Sequence, residues 1–265
     1  MMRDRIVDRD YFFRRELFNR NASARALEDV ASGLIPVENY SLAYSDAANY
    51  MREVVCSRFS RGDAIDALTP DFEAYFYSFD KFHEERMKLV PCRRLQKVNM
   101  NWDNYNEYLW ALSAVVLLRL PVEFLSRVSE IIDARDPGAA CKSGRALYEV
   151  GNNRGKDALM DALLNKCGSP GPQFTELRIG RHFKTLLAVI EAEPEKRPAL
   201  MKKYLNGWLA AHIRYSGFRA LDKIDENFGY TGYWSFESAL MVKLWNIDDS
   251  SFRDHPHYPG DLVHW

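Results

Sequence analysis

Thr69-Pro70-Asp71-Phe72-Glu73-Ala74-Tyr75-Phe76-Tyr77-Ser78-Phe79-Asp80-Lys81-Phe82-His83 brings a large apolar or aromatic residue back every three to four positions. That is the period of a helix with one buried stripe. Phe72, Phe76, Phe79 and His83 share that stripe, which continues toward Met87. The start is marked as well. Thr69 is a candidate N-cap, Pro70 suits the first helical position, and Asp71 and Glu73 complement the positive end of the dipole. An aromatic stripe of this kind is core packing rather than a ligand box.

The same period runs outward in both directions. Asp10 to Val30 places Phe13, Leu17, Ala24, Leu27 and Val30 on one face beside an arginine-rich one. Asn39 to Phe59 offers Leu42, Ala47, Tyr50, Met51, Val54, Val55 and Phe59, and Gly62-Asp63 breaks it. Further helices are expected over Asp103–Leu120, Pro121–Asp133, Ala139–Val150, Lys156–Asn165, Glu176–Glu191, Arg197–Tyr215 and Ser235–Trp245, with Phe218–Phe228 extending or following the Arg197 helix. No run of β-branched alternation exceeds a few residues, and no repeat has solenoid spacing. The fold class is all-α, two packed helical subdomains with an irregular tail rich in proline and aromatics. The turn Asp136-Pro137-Gly138 divides them, giving domains 1–136 and 137–265.

Composition narrows the function classes. A 47% hydrophobic and 28% charged chain of 265 residues can bury a sizeable core and is not disordered. A net charge of −1 offers no global field to nucleic acid or to an anionic membrane. The N-terminal residues Met1 to Asp8 alternate charges where a signal peptide needs an apolar run. Leu109 to Leu120, interrupted by Ser113 and Arg119, is too short to span a bilayer. Cys56, Cys92, Cys141 and Cys167 form no C-x-x-C pair, so neither a zinc site nor a disulfide framework is indicated. A reduced, cytoplasmic location follows as the expectation.

Catalytic motifs are missing. The sequence holds no Walker loop, G-x-G-x-x-G, G-x-S-x-G or H-E-x-x-H, and no histidine follows an arginine by five to seven positions, as a helical RNase would need. His83-Glu84-Glu85 lacks a second histidine and reads as a charged helix face. Arg197, Lys202 and Lys203 near Trp208 and Tyr215 read as a solvated face with Trp208 packed inside. Asp248, Asp249, Asp254, His255, His257, Asp261 and His264 gather metal-type ligands. The prolines around them fix the path instead of closing a cage. An enzyme is not expected, nor a metal, a cofactor or any catalytic residue. The alternative is a metal-dependent hydrolase using Asp254, His255 and His257.

The C-terminal segment is acidic. From Phe218 to Trp265 four basic residues face eight acidic ones, a local balance of −4. Acids beside exposed aromatics suit a basic protein partner.

Gly232-Tyr233-Trp234-Ser235-Phe236-Glu237-Ser238-Ala239, Ile247-Asp248-Asp249-Ser250-Ser251-Phe252-Arg253-Asp254-His255-Pro256, Tyr258-Pro259 and Asp261-Leu262 together resemble the C-terminal domain of the PoNi family. Those are immunity proteins that protect bacteria from PoNe-type polymorphic DNase toxins. Arg3-Asp4, Tyr11-Phe12 and Tyr204-Leu205-x-x-Trp208 fit the same pattern, while Gly260 and His257 depart from it. The resemblance implies a helical, non-enzymatic protein that binds a cognate DNase toxin and occludes its active site or DNA-binding surface, with no direct nucleic-acid or membrane contact. Within the signature, Tyr230, Gly232, Tyr233, Trp234, Phe236, Glu237, Asp248, Asp249, Tyr258, Pro259 and Asp261 are expected to be structural, with Glu237 and Asp249 satisfying buried backbone N–H groups. Toxin contact is assigned to exposed acids: Asp222, Asp225, Glu226, Asp248 and Asp254. Nothing in the sequence speaks to homo-oligomers.

Overall fold

The computed structural model describes residues 2–89, 102–133, 157–171, 177, 182–215, 218–224 and 229–265. No strand occurs among them, so the chain is all-α. It divides into two compact units, Met1–Val90 with Leu221–Gly232, and Pro91–Ala220 with Tyr233–Trp265. The expected turn at Asp136-Pro137-Gly138 and the helix expected over 139–150 lie outside the described residues.

The first unit is built on three long helices, α1 (Arg9–Ala31), α2 (Tyr40–Arg61) and α3 (Thr69–Leu89), with α2 packed against both others. Asp8 starts α1 by accepting the Tyr11 N–H at 2.6 Å. Gly62 stops α2 in the left-handed region at φ 94°, where a Cβ would clash with the backbone. The start of α3 differs from expectation. A 3-10 turn over Asp66–Leu68 runs straight into the helix, and Thr69 is already helical at φ −55°, so it is a first-turn residue and not an extended cap. The aromatic stripe of α3 is buried as expected. Phe72 and Phe79 are fully buried, His83 is 4% exposed, and the Phe79 and His83 rings meet edge-to-face at 4.6 Å. His83 therefore belongs to the core, while Glu84 and Glu85 pair with Lys81 and Lys88.

On α1 the buried face is not the one its periodicity suggests. Tyr11, Phe12, Asn19, Ser23 and Val30 are inside, whereas Phe13 and Leu17 are 46% and 62% exposed. The cause lies on α2, where Ala43, Ala47 and Ala48 are buried and let the helices approach closely. Ser23 suits that approach because its hydroxyl donates to the Ala47 carbonyl at 3.2 Å.

The second unit holds α4 (Trp102–Leu117), α5 (Val122–Asp133), α6 (Ala158–Lys166), α7 (Lys184–Glu191), α8 (Arg197–Tyr215), α9 (Phe236–Trp245) and α10 (Asp261–His264). Helix α9 packs on α4 and α10, and α7 packs on α8. Residues Phe236 to Val242 of α9 are all buried, marking it as the central helix of its unit. Asn246 ends it in the left-handed conformation at φ 48°. Helix α4 ends three residues before its expected limit because Arg119 is also left-handed, at φ 53°. Trp265 covers that end. Its indole N–H donates to the Leu117 carbonyl at 2.8 Å, and the Arg119 guanidinium lies 4.5 Å over its ring. Of the stretch Phe218–Phe228 expected to be helical, residues 218–224 are described and hold the 3-10 turn Leu221–Lys223, while residues 225–228 lie outside the described residues. Among the described residues no helix is long and apolar enough to cross a membrane.

Candidate functional site

The C-terminal signature serves two units. Its first residue, Tyr230, is a buried member of the first one. The Tyr230 hydroxyl donates to Asp4 Oδ2 at 2.5 Å, and its backbone N–H donates to the Tyr11 hydroxyl at 2.9 Å. Ser60 Oγ donates to the Thr231 carbonyl at 2.8 Å. The Arg3-Asp4 start is fixed by the same corner, since both backbone N–H groups donate to the Ser60 carbonyl at 3.0 Å. Gly232 follows at φ 101°, a turn that favours glycine.

In the second unit Glu237 sits on the first turn of α9, 8% exposed. Its Oε1 accepts three side-chain donors: the Tyr204 hydroxyl at 2.7 Å, Trp208 Nε1 at 2.6 Å and Ser235 Oγ at 2.7 Å. Tyr204 and Trp208 are one turn apart on α8, so a single carboxylate ties α9 to α8. Burial, then the neighbouring Glu237 carboxylate, pushes the Tyr204 phenol well above its ordinary range, which keeps it a donor. The expectation that Glu237 serves backbone N–H groups is thus corrected, because its partners are side chains.

Asp249 is corrected in the same way. It is 1% exposed and accepts from Tyr258 Oη at 3.0 Å, His264 Nε2 at 2.7 Å and the Arg253 guanidinium. Burial pulls its carboxyl pKa up, but the hydrogen bonds from Arg253, His264 and Tyr258 outweigh burial and hold it below the usual carboxylate range. Pro259 is buried and Asp261 exposed at the start of α10. Tyr233 stacks on Phe218 at 4.3 Å and its hydroxyl accepts the Arg219 N–H at 2.9 Å. Phe236 is buried against Trp110, ring centroids 5.5 Å apart, and Trp234 is half-buried.

A ladder of histidines and aromatics crosses this unit. His182 stacks on Tyr204 at 4.4 Å, His212 on Trp208 at 4.1 Å, and His257 lies 5.3 Å from Trp208. His257 Nδ1 donates to the Tyr233 carbonyl at 3.0 Å, and His212 Nδ1 to that of Trp208 at 2.9 Å. Burial lowers the pKa of His182 to about 3 and that of His255 to about 4, and it lowers that of His212 as well. These groups fold as neutral rings, so below about pH 6.5 the unfolded chain binds more protons than the native one. Stability is therefore complete above that value and falls as the pH drops toward the folded values. His182 alone is expected to cost about 1–2 kcal/mol between pH 7 and pH 5. Urea unfolding at the two pH values checks this, and His182→Phe should flatten the slope. Asp249, with its depressed pKa, adds acid sensitivity only below the ordinary carboxylate range.

Asp222, Asp248 and Asp254 are exposed, and Asp225 and Glu226 lie outside the described residues. Asp248 and Asp254 share the loop between α9 and α10, whereas Asp222 belongs to the first unit. Asp248 also closes a turn, accepting Ser250 N–H and Ser250 Oγ at 3.0 Å each. The alternative hydrolase centre is not assembled. The His255 and His257 rings are 5.6 Å apart, His255 Nδ1 is the acceptor of the His257 N–H at 3.3 Å, and no group of three or more ligand-type side chains among the described residues is placed to hold a metal ion. Lys202 and Lys203 are exposed while Trp208 is buried, as their spacing suggested.

Two family models match the sequence: PoNe immunity protein (PoNi), N-terminal, over residues 3–130, and PoNe immunity proteins (PoNi), C-terminal, over residues 155–262. The structure is similar to the crystal structure of protein PA2201 from Pseudomonas aeruginosa, with a TM-score of 0.70 and 19% identity, covering 99% of this chain and 89% of that one. That likeness concerns the fold. No curated protein matches the sequence. Matched by both the N-terminal and the C-terminal model over most of its length, the chain belongs to the PoNi family of PoNe immunity proteins.

Proposed function

We propose that this protein protects its cell by binding a cognate PoNe-type DNase toxin in the cytoplasm and occluding its active site or its DNA-binding surface. The observation that carries the reading is the match of both PoNi models, at 3–130 and 155–262. Inhibition by binding is consistent with the way the conspicuous polar residues are used. Glu237 and Asp249 are committed to internal donors, which leaves the exposed acids to face a partner. A DNA-binding surface is basic, and acids at an interface rim accelerate encounter with it.

Co-expression with the cognate PoNe-type DNase toxin tests the reading. The expected result is a one-to-one complex and survival of cells that produce the toxin. Failure to bind and failure to rescue would together overturn it. For the acids, Asp248→Lys with Asp254→Lys is expected to slow association about tenfold and to flatten its salt dependence. Stopped-flow mixing at two ionic strengths measures both. An unchanged association rate would remove those acids from the interface.

A further inference from the structure

We infer that Gly229-Tyr230-Thr231-Gly232 is a latch of the first unit. It bolts the N-terminal arm, Arg3 to Ile6, to the end of α2, and the two open together while α1, α2 and α3 stay folded. The inference goes beyond the immunity reading and does not rest on it. Every group it uses belongs to the first unit.

The arm meets a need of α2. The last carbonyls of a helix have no partner within it, and the arm supplies donors there. The backbone N–H groups of Arg3 and Asp4 both donate to the Ser60 carbonyl at 3.0 Å. Arg3 Nη1 donates to the Phe59 and Asp63 carbonyls at 2.9 Å each, which sets a cation at the negative end of the helix dipole. Asp4 closes the arm by accepting the Ile6 N–H at 2.8 Å.

The strap fastens to the same groups. Ser60 holds the arm on its carbonyl and, through its hydroxyl, the Thr231 carbonyl at 2.8 Å. The Tyr230 hydroxyl donates to Asp4 Oδ2 at 2.5 Å, its N–H donates to the Tyr11 hydroxyl at 2.9 Å, and its ring lies 6.3 Å from that of Phe12. Gly229 allows the close seating. A Cβ there would stand 2.7 Å from Arg15 Nη2, a nitrogen already engaged by Glu53 at 3.1 Å.

Burial makes the two sides cooperative. Asp4 and Tyr230 are 7% and 2% exposed. Lifting the strap alone takes a donor from a buried carboxylate, and lifting the arm alone takes an acceptor from a buried phenol. Either is costlier than wetting both at once. Helix α2 packs on α1 and on α3 in its own right, so the helices need not part when the latch lifts.

The test is hydrogen exchange of the full chain, read amide by amide by NMR. In the wild type the protection factors of the Arg3, Asp4 and Tyr230 amides are expected to agree within about threefold and to fall below those in the middle of α2. A wider spread means separate openings and overturns the latch. Tyr230→Ala is expected to lower protection at Arg3 and Asp4 about 50-fold, and Asp4→Ala to lower it at Tyr230 about tenfold, although neither removes a bond of the amide being read. Amides in the middle of α2 should stay within about threefold of wild type. If Arg3 and Asp4 keep wild-type protection in Tyr230→Ala, the arm holds without the strap and the inference fails. An equal loss in the middle of α2 also overturns it, because the segment is then part of one indivisible core. Should Tyr230→Ala not fold, Tyr230→Phe decides. A loss of about fivefold at Arg3 and Asp4 is expected, and one below about twofold overturns the latch.

Discussion

Glu237→Ala is expected to destabilise the protein by about 3–5 kcal/mol, enough to remove much of the stability of an ordinary domain. The substitution deletes one acceptor and leaves three buried donors: the Tyr204 hydroxyl, the Trp208 indole N–H and the Ser235 hydroxyl. Each unpaired buried donor costs about 1–3 kcal/mol, and the cavity left on α9 adds to that. Relaxation of Ser235, whose hydroxyl turns freely, keeps the total below the plain sum. Glu237→Gln separates charge from connectivity. Its carbonyl oxygen still accepts, so the loss is expected near 1–2 kcal/mol, the difference between a charge-assisted and a neutral hydrogen bond. Tyr204→Phe removes one donor and its demand together, and should cost about 1 kcal/mol. Urea unfolding followed by tryptophan fluorescence ranks the three. If Glu237→Ala costs no more than Tyr204→Phe, the carboxylate is not the tie between α8 and α9.

The three-to-four period located the helices well wherever one stripe of large residues faces one core. Helix α3 and helix α8 over Arg197–Tyr215 are the clear cases. On α1 the same rule picked the wrong face, because Phe12-Phe13 and Leu17-Phe18 offer apolar residues to two adjacent faces at once. Which face is buried depends on α2, whose alanines admit Asn19 and Ser23 and leave Phe13, Leu17 and Phe18 outside. That choice is tertiary, and no local pattern carries it. The signature residues were legible as a group but not as a circuit. The Tyr204-Leu205-x-x-Trp208 spacing puts two polar-tipped aromatics on one helix face, and that was the available signal for a shared acceptor. Glu237 supplies it from a distance of about thirty positions in sequence, which periodicity does not report. The ladder of His182, His212 and His257 was not legible for a related reason. The three stand far apart in sequence, and they meet only when α8, the turn before α7 and the loop before α10 pack together.

Arg61→Ala is expected to cost about 3 kcal/mol, the toll of losing a buried guanidinium and uncovering two half-buried carboxylates, tempered by the neighbours that remain. Arg61 is 6% exposed. Its fork binds Asp63 at 2.8 and 2.6 Å, and its third nitrogen reaches Glu16 at 2.5 Å. Glu16 keeps Arg20 at 2.9 Å and Asp63 keeps Arg58 at 2.8 Å, so neither acid is stranded completely. Arg61→Lys retains the charge but cannot span both acids, and about 1–2 kcal/mol is expected for it. Burial raises the Asp63 pKa, yet the bonds from Arg61 and Arg58 hold it below its ordinary value. The network therefore persists as the pH falls from 7 to 5, and losses in that window belong to the histidines instead. The same guanidinium lies 3.8 Å over Phe13, which couples this interior network to the α1 surface. Both variants free that ring, since an ammonium is a point charge and not a plane to stack on. Urea unfolding of the two variants measures both costs, and a loss in Arg61→Lys as large as in Arg61→Ala would show that the two-acid span, and not the charge alone, holds the network. The opposite outcome, Arg61→Lys near wild type, would assign to Arg61 a charge role alone in joining Glu16 of α1 to Asp63 after α2.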